Sequence, residues 1–283
     1  METLTTVDAV RRWRAESGTV GLVPTMGNLH AGHLALVAAA RERCDRAIVS
    51  IFVNPLQFGP NEDLATYPRT FEGDKAALAH AGVDAIFAPS VDEMYPAGGT
   101  SLTTVRVAGI TEMLCGSRRP GHFEGVATVV SKLLNIARPD VAFFGEKDYQ
   151  QLAVIQRMAA DLCMDVTIEG VPTVREDDGL ALSSRNHYLD GNQRKEALAM
   201  SAALKDVVAR LRAGQRDFRA LEARGWSQLA DAGFDPDYFE IRDADLVPAT
   251  EQTGVFRVLA AGYLGRTRLI DNMGVDTRVA AAG

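Results

Sequence analysis

Short apolar runs alternate with helix-like patterns through residues 1–171. Runs rich in apolar and β-branched side chains predict buried strands at residues 19–23, 46–53, 84–89, 140–144 and 165–171. Helices are predicted at residues 7–15, 34–40, 71–81 and 126–136, with another that begins around 145–151 and ends at about 162; an alternating stretch at 102–107 predicts an extra strand. Strands that alternate with helices in this way indicate a Rossmann-like α/β domain with a parallel sheet and right-handed crossovers.

The pattern changes in the last third of the chain. Long helical stretches at 192–213 and 218–232 are followed by strand-like runs at 238–241, 255–264 and 267–270. This succession predicts a smaller α+β domain. The turn-forming residues of Pro172–Gly179 mark the boundary, so we expect a catalytic domain at 1–171 and a smaller domain at 172–283.

Composition and charge narrow the class of protein. Of the 283 residues, 47% are hydrophobic and 24% are charged, which is ordinary for a soluble protein. No run approaches the ~20 apolar residues of a membrane span, and Met1–Ser17 lacks the apolar stretch of a signal peptide, so we expect a cytoplasmic protein. The net charge of −7 argues against a broad nucleic-acid surface, and three widely separated cysteines predict neither a disulfide framework nor a metal cluster.

The first predicted strand leads into a glycine-containing turn with two histidines three positions apart. Gly27 and Gly32 allow the backbone to turn and to approach a ligand, and the first N–H groups of the following helix can bind a phosphate oxygen. His30 and His33 occupy neighbouring positions of a starting helical turn, where two cationic imidazoles can face one polyphosphate and stabilise a leaving pyrophosphate. The same pattern is equally typical of a capped helix with two surface histidines. No Cys or third His lies at the spacing that would predict a zinc site.

Polar side chains also follow two later strands. Gln57 lies in a loop at the carboxyl end of the second strand, the edge at which open parallel sheets bind ligands. Lys147 stands at a predicted helix start, where lysine can bind phosphate oxygens, and Gln151 lies four positions later, so that both side chains point the same way. Taken singly, a loop glutamine or a solvated lysine explains each residue as well.

Two further segments add positive charge and hydroxyl groups. A basic, glycine-rich loop at 114–123 contains Arg118, Arg119 and His122 just before a helix N-terminus, which suits an anion. Leu182–Asn186 offers two hydroxyls and a guanidinium, a combination found in phosphate sites and in plain polar loops. Neither segment identifies a ligand by itself.

Together, five blocks resemble those of the pantoate–β-alanine ligase family, the pantothenate synthetases. The blocks are Pro24–His33, Ile51–Phe58, Arg119–Phe123, Phe144–Gln151 and Val174–Asn186. They occur in the order of the family and extend over essentially the whole chain. The His30-Ala31-Gly32-His33 pattern alone would indicate only the wider nucleotidyltransferase superfamily, which includes class I aminoacyl-tRNA synthetases. The five blocks together are specific.

The resemblance implies a Rossmann-like N-terminal domain that binds ATP, a smaller C-terminal lid domain that closes over it, and a homodimer. It implies a ligase that converts pantoate and ATP, accompanied by Mg²⁺, into pantoyl adenylate and pyrophosphate. β-Alanine then attacks the adenylate to give pantothenate and AMP. Small molecules are therefore the expected partners, and neither nucleic acid nor a membrane is expected.

Site residues are carried over from the family by matching position. His33 is the implied proton donor, His30 helps to stabilise the phosphates, and Lys147 and Arg185 complete the catalytic set. Gln57 and Gln151 are implied to hold pantoate, with Gln57 also near the incoming β-alanine. The implied ATP-binding residues are Met26, Gly27, Asn28, Leu29, His30, Ala31, Gly32, His33, Gly145, Glu146, Lys147, Asp148, Val174, Leu182, Ser183, Ser184 and Arg185. The metal ligands are not assigned. The chain departs from the family pattern at Asn28 and Ala31, which lie between the key residues of the motif.

Two other classes of protein stay open. Another nucleotidyltransferase with the same histidine pattern would adenylate a different small acid or a phosphate; a phosphate acceptor would need its own binding site, where this chain offers Gln57 and Gln151. A nucleotide-binding regulator or RNA-binding module without turnover is disfavoured by the acidic charge and by the lack of a basic, aromatic stripe.

Overall fold

The computed structural model describes residues 1–60, 62, 64–96, 98 and 101–278. The chain forms two compact units. The first contains Met1–Glu146 and Gln150–Pro172, and the second contains Lys147–Tyr149 together with the chain from Thr173 onward. Within the described ranges, no helix combines the length and the apolar character needed to cross a membrane.

A six-stranded parallel sheet organises the first unit. Its strands are β1 (Glu2–Leu4), β2 (Val20–Thr25), β3 (Arg46–Ile51), β4 (Ala85–Phe87), β5 (Val141–Gly145) and β6 (Thr167–Val171), paired in the order β1-β4-β3-β2-β5-β6. The helices are α1 (Val7–Ala15), α2 (Ala31–Arg43), α3 (Phe71–His80), α4 (Val91–Met94), α5 (Leu114–Arg118), α6 (His122–Ala137) and α7 (Tyr149–Asp161). Short 3₁₀ turns at Pro55–Gln57 and Glu146–Asp148 follow β3 and β5.

The central strands are apolar because both of their faces are covered. On one face Val23, Val49 and Phe143 are fully buried in a core shared with α2 and α3, which explains the near-continuous apolar runs. Strand order reverses at the β2–β5 pair, so the carboxyl ends of these strands, Thr25 and Gly145, lie on neighbouring strands of one sheet edge. Ligands of open parallel sheets bind at such a reversal point.

The second unit packs helices on one antiparallel sheet. Strands β7 (Asp235–Asp243), β8 (Val255–Leu264) and β9 (Thr267–Asp276) pair in that order. The helices are α8 (Gly191–Glu196), α9 (Leu198–Arg212) and α10 (Phe218–Asp231), and a 3₁₀ turn spans Ser184–Tyr188. Buried side chains of α9, such as Leu204 and Val207, share a core with Phe256 and Val258 of β8.

The predicted fold class, a parallel-sheet α/β region followed by a smaller α+β region, is confirmed. The extra strand predicted at 102–107 is wrong: this segment is irregular, and Val105 N–H donates to Thr128 Oγ1 of α6 (3.0 Å) instead of pairing with a strand. The segment 114–123, predicted as a loop, contains α5 and the start of α6. The single helix predicted at 192–213 is divided at Ala197 into α8 and α9.

Candidate active site

Residues Met26–His33, here called the histidine loop, leave β2 through two consecutive residues with left-handed backbone. Gly27 has φ 81° and Asn28 has φ 52°. Glycine accepts this conformation without strain, and asparagine tolerates it better than most residues. A Cβ at Gly27 would also lie 3.0 Å from a carboxylate oxygen of Asp74. The chain therefore turns sharply out of the strand at a position that only glycine fits well.

Asp74 of α3 holds the histidine loop in place, and the sequence analysis missed it. Its side chain is buried, and its two oxygens accept the N–H groups of Asn28 (2.9 Å) and Leu29 (2.8 Å). Thr70 Oγ1 donates a third hydrogen bond to the same carboxylate (3.2 Å). Asp74 and Leu78 are the buried residues of α3 and are four positions apart. A carboxylate on the apolar face of a predicted helix is the signal that would have identified it.

The two histidines cap the helix that they begin. His30 Nδ1 accepts the N–H of Gly32 (3.1 Å), and His33 Nδ1 accepts the N–H of His30 (3.2 Å), which closes a reciprocal capping box. An N–H group can only donate, so both Nδ1 atoms carry a lone pair and each neutral ring holds its proton on Nε2. The ring centroids are 4.1 Å apart. This arrangement places the proton of each ring on Nε2, and the cationic imidazoles predicted from the sequence would lose their capping bonds.

Protein acceptors already use most backbone N–H groups of this turn. Those of Gly27, Asn28, Leu29, His30, Gly32, His33 and Leu34 donate to Thr25, Asp74, His30 or His33. In this structure the N–H groups of Gly32, His33 and Leu34 therefore have acceptors within the protein, and phosphate binding by the first N–H groups of α2 stays a prediction.

The Gln57 amide is oriented by a buried chain of hydrogen bonds. Asn54, which is 1% exposed, donates from Nδ2 to Gln57 Oε1 (3.1 Å), and Gln57 Nε2 approaches Met26 Sδ at 2.9 Å. The orientation of Asn54 is set by Tyr95, whose hydroxyl donates to Asn54 Oδ1 (2.8 Å). Burial raises the pKa of Tyr95 to about 12, so this hydroxyl stays protonated. Two residues proposed from the sequence, Gln57 and Met26, are thus in contact.

Arg119 and His122 lie in a second network that reaches Gln57. Arg119 donates two bonds to the Glu62 carboxylate (2.7 and 2.6 Å) and contacts His122 Nε2 (2.9 Å). Because a guanidinium only donates, His122 accepts at Nε2 and donates from Nδ1 to the Gln57 carbonyl (2.8 Å). Burial works to raise the pKa of Glu62, but the hydrogen bonds and charge of Arg119 outweigh it and lower that pKa. The Arg119 charge is therefore paired with Glu62.

The polar residues that follow β5 lie in two different elements, a 3₁₀ turn and helix α7. Strand β5 ends at Gly145, and Glu146 and Lys147 lie in the 3₁₀ turn before α7, with Glu146 in the first unit and Lys147 in the second. Gln151 lies in the first turn of α7 and is partly exposed, so Lys147 and Gln151 are not one turn apart on a single α-helix as predicted. The neighbouring Gln150 is buried, and its amide bonds to the backbone of residues 110–115.

The other residues predicted to bind ATP belong to the second unit. Val174 and Leu182 are brought together in a hairpin, in which Leu182 N–H donates to the Val174 carbonyl (3.0 Å) and Gly179 (φ 98°) forms the turn. Ser183 Oγ accepts the N–H of Arg185 (3.2 Å) and so caps the 3₁₀ turn that carries Ser184 and Arg185. Lys147 and Asp148 are also grouped with this unit.

Known proteins match nearly the whole length of the chain. A model of the pantoate-beta-alanine ligase family matches residues 1–274. The chain is 56% identical to the pantothenate synthetase of Stutzerimonas stutzeri over 274 residues, which is 96% of each protein. It also matches the crystal structure of the pantothenate synthetase of Thermus thermophilus with a TM-score of 0.90 and 47% identity, covering 96% of this chain and 99% of that one.

A further solved structure shows ligands. The pantoate-beta-alanine ligase of Francisella tularensis, crystallised with beta-gamma ATP and beta-alanine, matches with a TM-score of 0.79 and 35% identity, covering 96% of this chain and 97% of that one. The family match, the relatives and the shared fold agree over nearly the whole length. The chain therefore belongs to the pantoate–β-alanine ligase family of carbon–nitrogen ligases.

Proposed function

We propose that this chain joins pantoate to β-alanine in two steps that consume ATP. In the first step a carboxylate oxygen of pantoate attacks the α-phosphorus of ATP, the bond to the bridging oxygen breaks, and pyrophosphate leaves. In the second step the amine of β-alanine attacks the acyl carbon of pantoyl adenylate and loses a proton, and AMP leaves. The observation that carries this proposal is the capped imidazole pair of the histidine loop in a chain of this family.

The first unit supplies directional donors. His30 and His33 each offer an Nε2–H to the phosphates, and His33 is the donor toward the leaving pyrophosphate. Gln57 and Gln151 hold pantoate through their amides. A neutral amide can orient a carboxylate without pairing its charge, so the carboxylate stays nucleophilic. The Gln57 oxygen is engaged by Asn54, and its Nε2–H₂ is therefore the group that would face pantoate.

The second unit supplies positive charge. Lys147 and Arg185 neutralise the charge that builds up on the phosphates, and Ser183 and Ser184 add hydroxyl donors. The Val174–Leu182 hairpin leads directly into this segment, and Val174 and Leu182 are proposed to complete the ATP site. These assignments, like those of Met26–His33, Gly145, Glu146 and Asp148, are proposals from matching positions and local geometry.

Mg²⁺, the assembly state and the location extend this proposal. Among the described residues, no group of three or more His, Cys, Asp or Glu side chains is arranged to hold a metal ion, so no step is assigned to a protein-held metal. We propose that Mg²⁺ arrives on the oxygens of ATP, where it would lower the phosphate charge. We also propose a cytoplasmic homodimer, which light scattering of the purified protein and cell fractionation would test.

Formation of AMP tests the whole reaction. With ATP, pantoate and β-alanine together, we expect equal amounts of AMP and pantothenate. With β-alanine omitted, pyrophosphate exchange into ATP should still depend on pantoate, because the first step needs no amine. AMP formation that did not require pantoate, or that required a different acid, would contradict the proposal.

A further inference from the structure

Strand β9 holds the backbone of Lys147 through a buried amide. Asn272 Nδ2 donates to the Lys147 carbonyl at 2.9 Å, although the two residues are 125 positions apart. Asn272 is only 4% exposed, and its Oδ1 accepts a hydrogen bond from Arg257 Nη1 of β8 (3.0 Å). Both ends of the amide are used, so its orientation is fixed.

Arg257 fixes the same short segment at a second point. Its guanidinium carbon lies 3.8 Å from the centre of the Tyr149 ring, and the Tyr149 hydroxyl donates to the carbonyl of Ala244 (2.9 Å). Gly274 provides the space for this arrangement, since a Cβ there would be 3.1 Å from the guanidinium carbon of Arg257. The residues Lys147–Tyr149 are thus held at the carbonyl of the first residue and at the ring of the last.

The neighbouring residue of β9 holds the Val174 hairpin. Asp271, which is 4% exposed, accepts two bonds from Arg175 (2.7 and 2.8 Å), the residue that follows Val174. Asp271 Oδ1 also accepts the N–H of Asn272 (2.7 Å). Two adjacent residues of one strand therefore fix two segments that we propose to bind ATP.

We propose that Asn272, oriented by Arg257, is a positioning residue for Lys147; this rests on the proposed role of Lys147 in binding the phosphates. Asn272 binds a backbone carbonyl and acts on the reaction through the lysine alone. The ammonium lies at the end of a flexible four-carbon stem, so the position of its backbone determines which phosphate oxygens it can reach. A displacement of about 1 Å can cost as much as ~10²-fold in rate.

A double-mutant cycle tests this dependence. The variants are Asn272→Ala, Lys147→Ala and the double variant, and the readout is kcat and KM for pantoate-dependent pyrophosphate exchange. Asn272→Ala should lower kcat about 10-fold with KM for pantoate unchanged, within the range for a misplaced group. In the Lys147→Ala background the same substitution should change the rate less than about 2-fold, because there is no ammonium to misplace.

Two further variants and a control keep the test independent of folding. Asn272→Asp keeps an acceptor for Arg257 but turns a carboxylate oxygen, which cannot donate, toward the Lys147 carbonyl, so it should lower kcat at least as much as Asn272→Ala. Gly274→Ala displaces Arg257 and should give a smaller loss that also disappears without Lys147. Asn135→Ala removes an amide that bonds to Ser131 within α6 and should leave kcat unchanged.

The outcomes separate this inference from the proposed function. Equal losses from Asn272→Ala with and without Lys147 would show a general structural role and overturn the inference, while Lys147 kept its proposed role. An undiminished rate in Lys147→Ala alone would overturn the inference and the proposed role of Lys147, because there would be no catalytic lysine to position, while AMP formation would still test the reaction itself.

Discussion

The turns that follow β2 and β5 lie on neighbouring strands of one parallel sheet, yet they are held in different ways. The histidine loop contains two consecutive residues with left-handed backbone and is tied to Asp74, a residue of the same unit. The turn Glu146–Asp148 is a 3₁₀ turn, and Lys147 within it is bonded through its carbonyl to Asn272 of β9. The same topology therefore occurs with two different supports.

The two turns differ in how firmly they fix the side-chain donors, which are the imidazoles of His30 and His33 in one and the Lys147 ammonium in the other. The imidazoles of His30 and His33 are bonded at Nδ1, so the direction of each Nε2–H is fixed with its ring. For Lys147 the hydrogen bond from Asn272 fixes the backbone, and the ammonium lies at the end of a flexible stem. We expect the histidine loop to be set before ATP binds and the lysine to adjust to the phosphates.

Removal of the Lys147 ammonium should have the largest effect. Lys147→Ala is expected to lower pantoate-dependent pyrophosphate release by about 10²- to 10³-fold, as for loss of one transition-state donor. The exposed Lys195 of α8 provides the matched control, and Lys195→Ala should leave the rate unchanged. A full rate in Lys147→Ala would remove this residue from the catalytic set.

Substitution of His33 can distinguish the capping bond at Nδ1 from the proposed donor at Nε2. Asn in place of His33 keeps an acceptor near the Nδ1 position but has no donor at Nε2, so His33→Asn should retain the cap and still lose about 10²-fold in the first step. His33→Ala should lose a similar rate and about 1 kcal/mol of stability as well. Thermal unfolding and pyrophosphate exchange measure the two effects. If His33→Asn were as active as the unsubstituted protein, the Nε2–H would have no role in the reaction.

Sequence patterns predicted the features of the two turns that depend on residues close together in the chain. The apolar runs located β2, β3 and β5, and glycine and histidine at close spacing located the histidine loop. Asp74 was missed because it acts across 46 residues on a loop that the sequence analysis treated by itself. The support for Lys147 was missed for the same reason at a larger separation, since nothing near residue 272 indicates a partner at 147.

Patterns also gave errors where pairing decides the structure. The alternation at 102–107 suits a strand, but a strand needs a neighbour, and Val105 bonds to a helix side chain instead. At the start of α2 the sequence left open a phosphate site or a capped helix, and it did not show that the two histidine rings are themselves the capping groups. The pattern could not predict hydrogen-bond partners that are distant in sequence. It also could not predict that a histidine ring would cap a helix.

Loss of the Asp74 carboxylate should have an intermediate effect. Asp74→Ala leaves two backbone N–H groups of the histidine loop without their acceptor, which should cost about 1–3 kcal/mol of stability and about 10-fold in rate as the imidazoles shift. Formate can occupy the vacated space and accept the same N–H groups, so added formate should restore part of the rate. Asp84→Ala, at a carboxylate bonded to Arg41 and to the Ala47 N–H, is a control in which formate should leave pyrophosphate exchange unchanged.

The smallest effect should come from one added methyl group, and it should differ between the two turns. Gly27→Ala forces a left-handed residue and places Cβ 3.0 Å from Asp74 Oδ2, so it should destabilise the first unit by at least about 1–2 kcal/mol. Gly145→Ala meets no atom within 4 Å, and its φ lies outside the left-handed region, so the change should stay within about 0.5 kcal/mol. Denaturant unfolding of the Trp226→Phe protein, followed by fluorescence of the buried Trp13, reports on the first unit. Equal losses at both glycines would contradict the difference in backbone conformation and local space between the two turns.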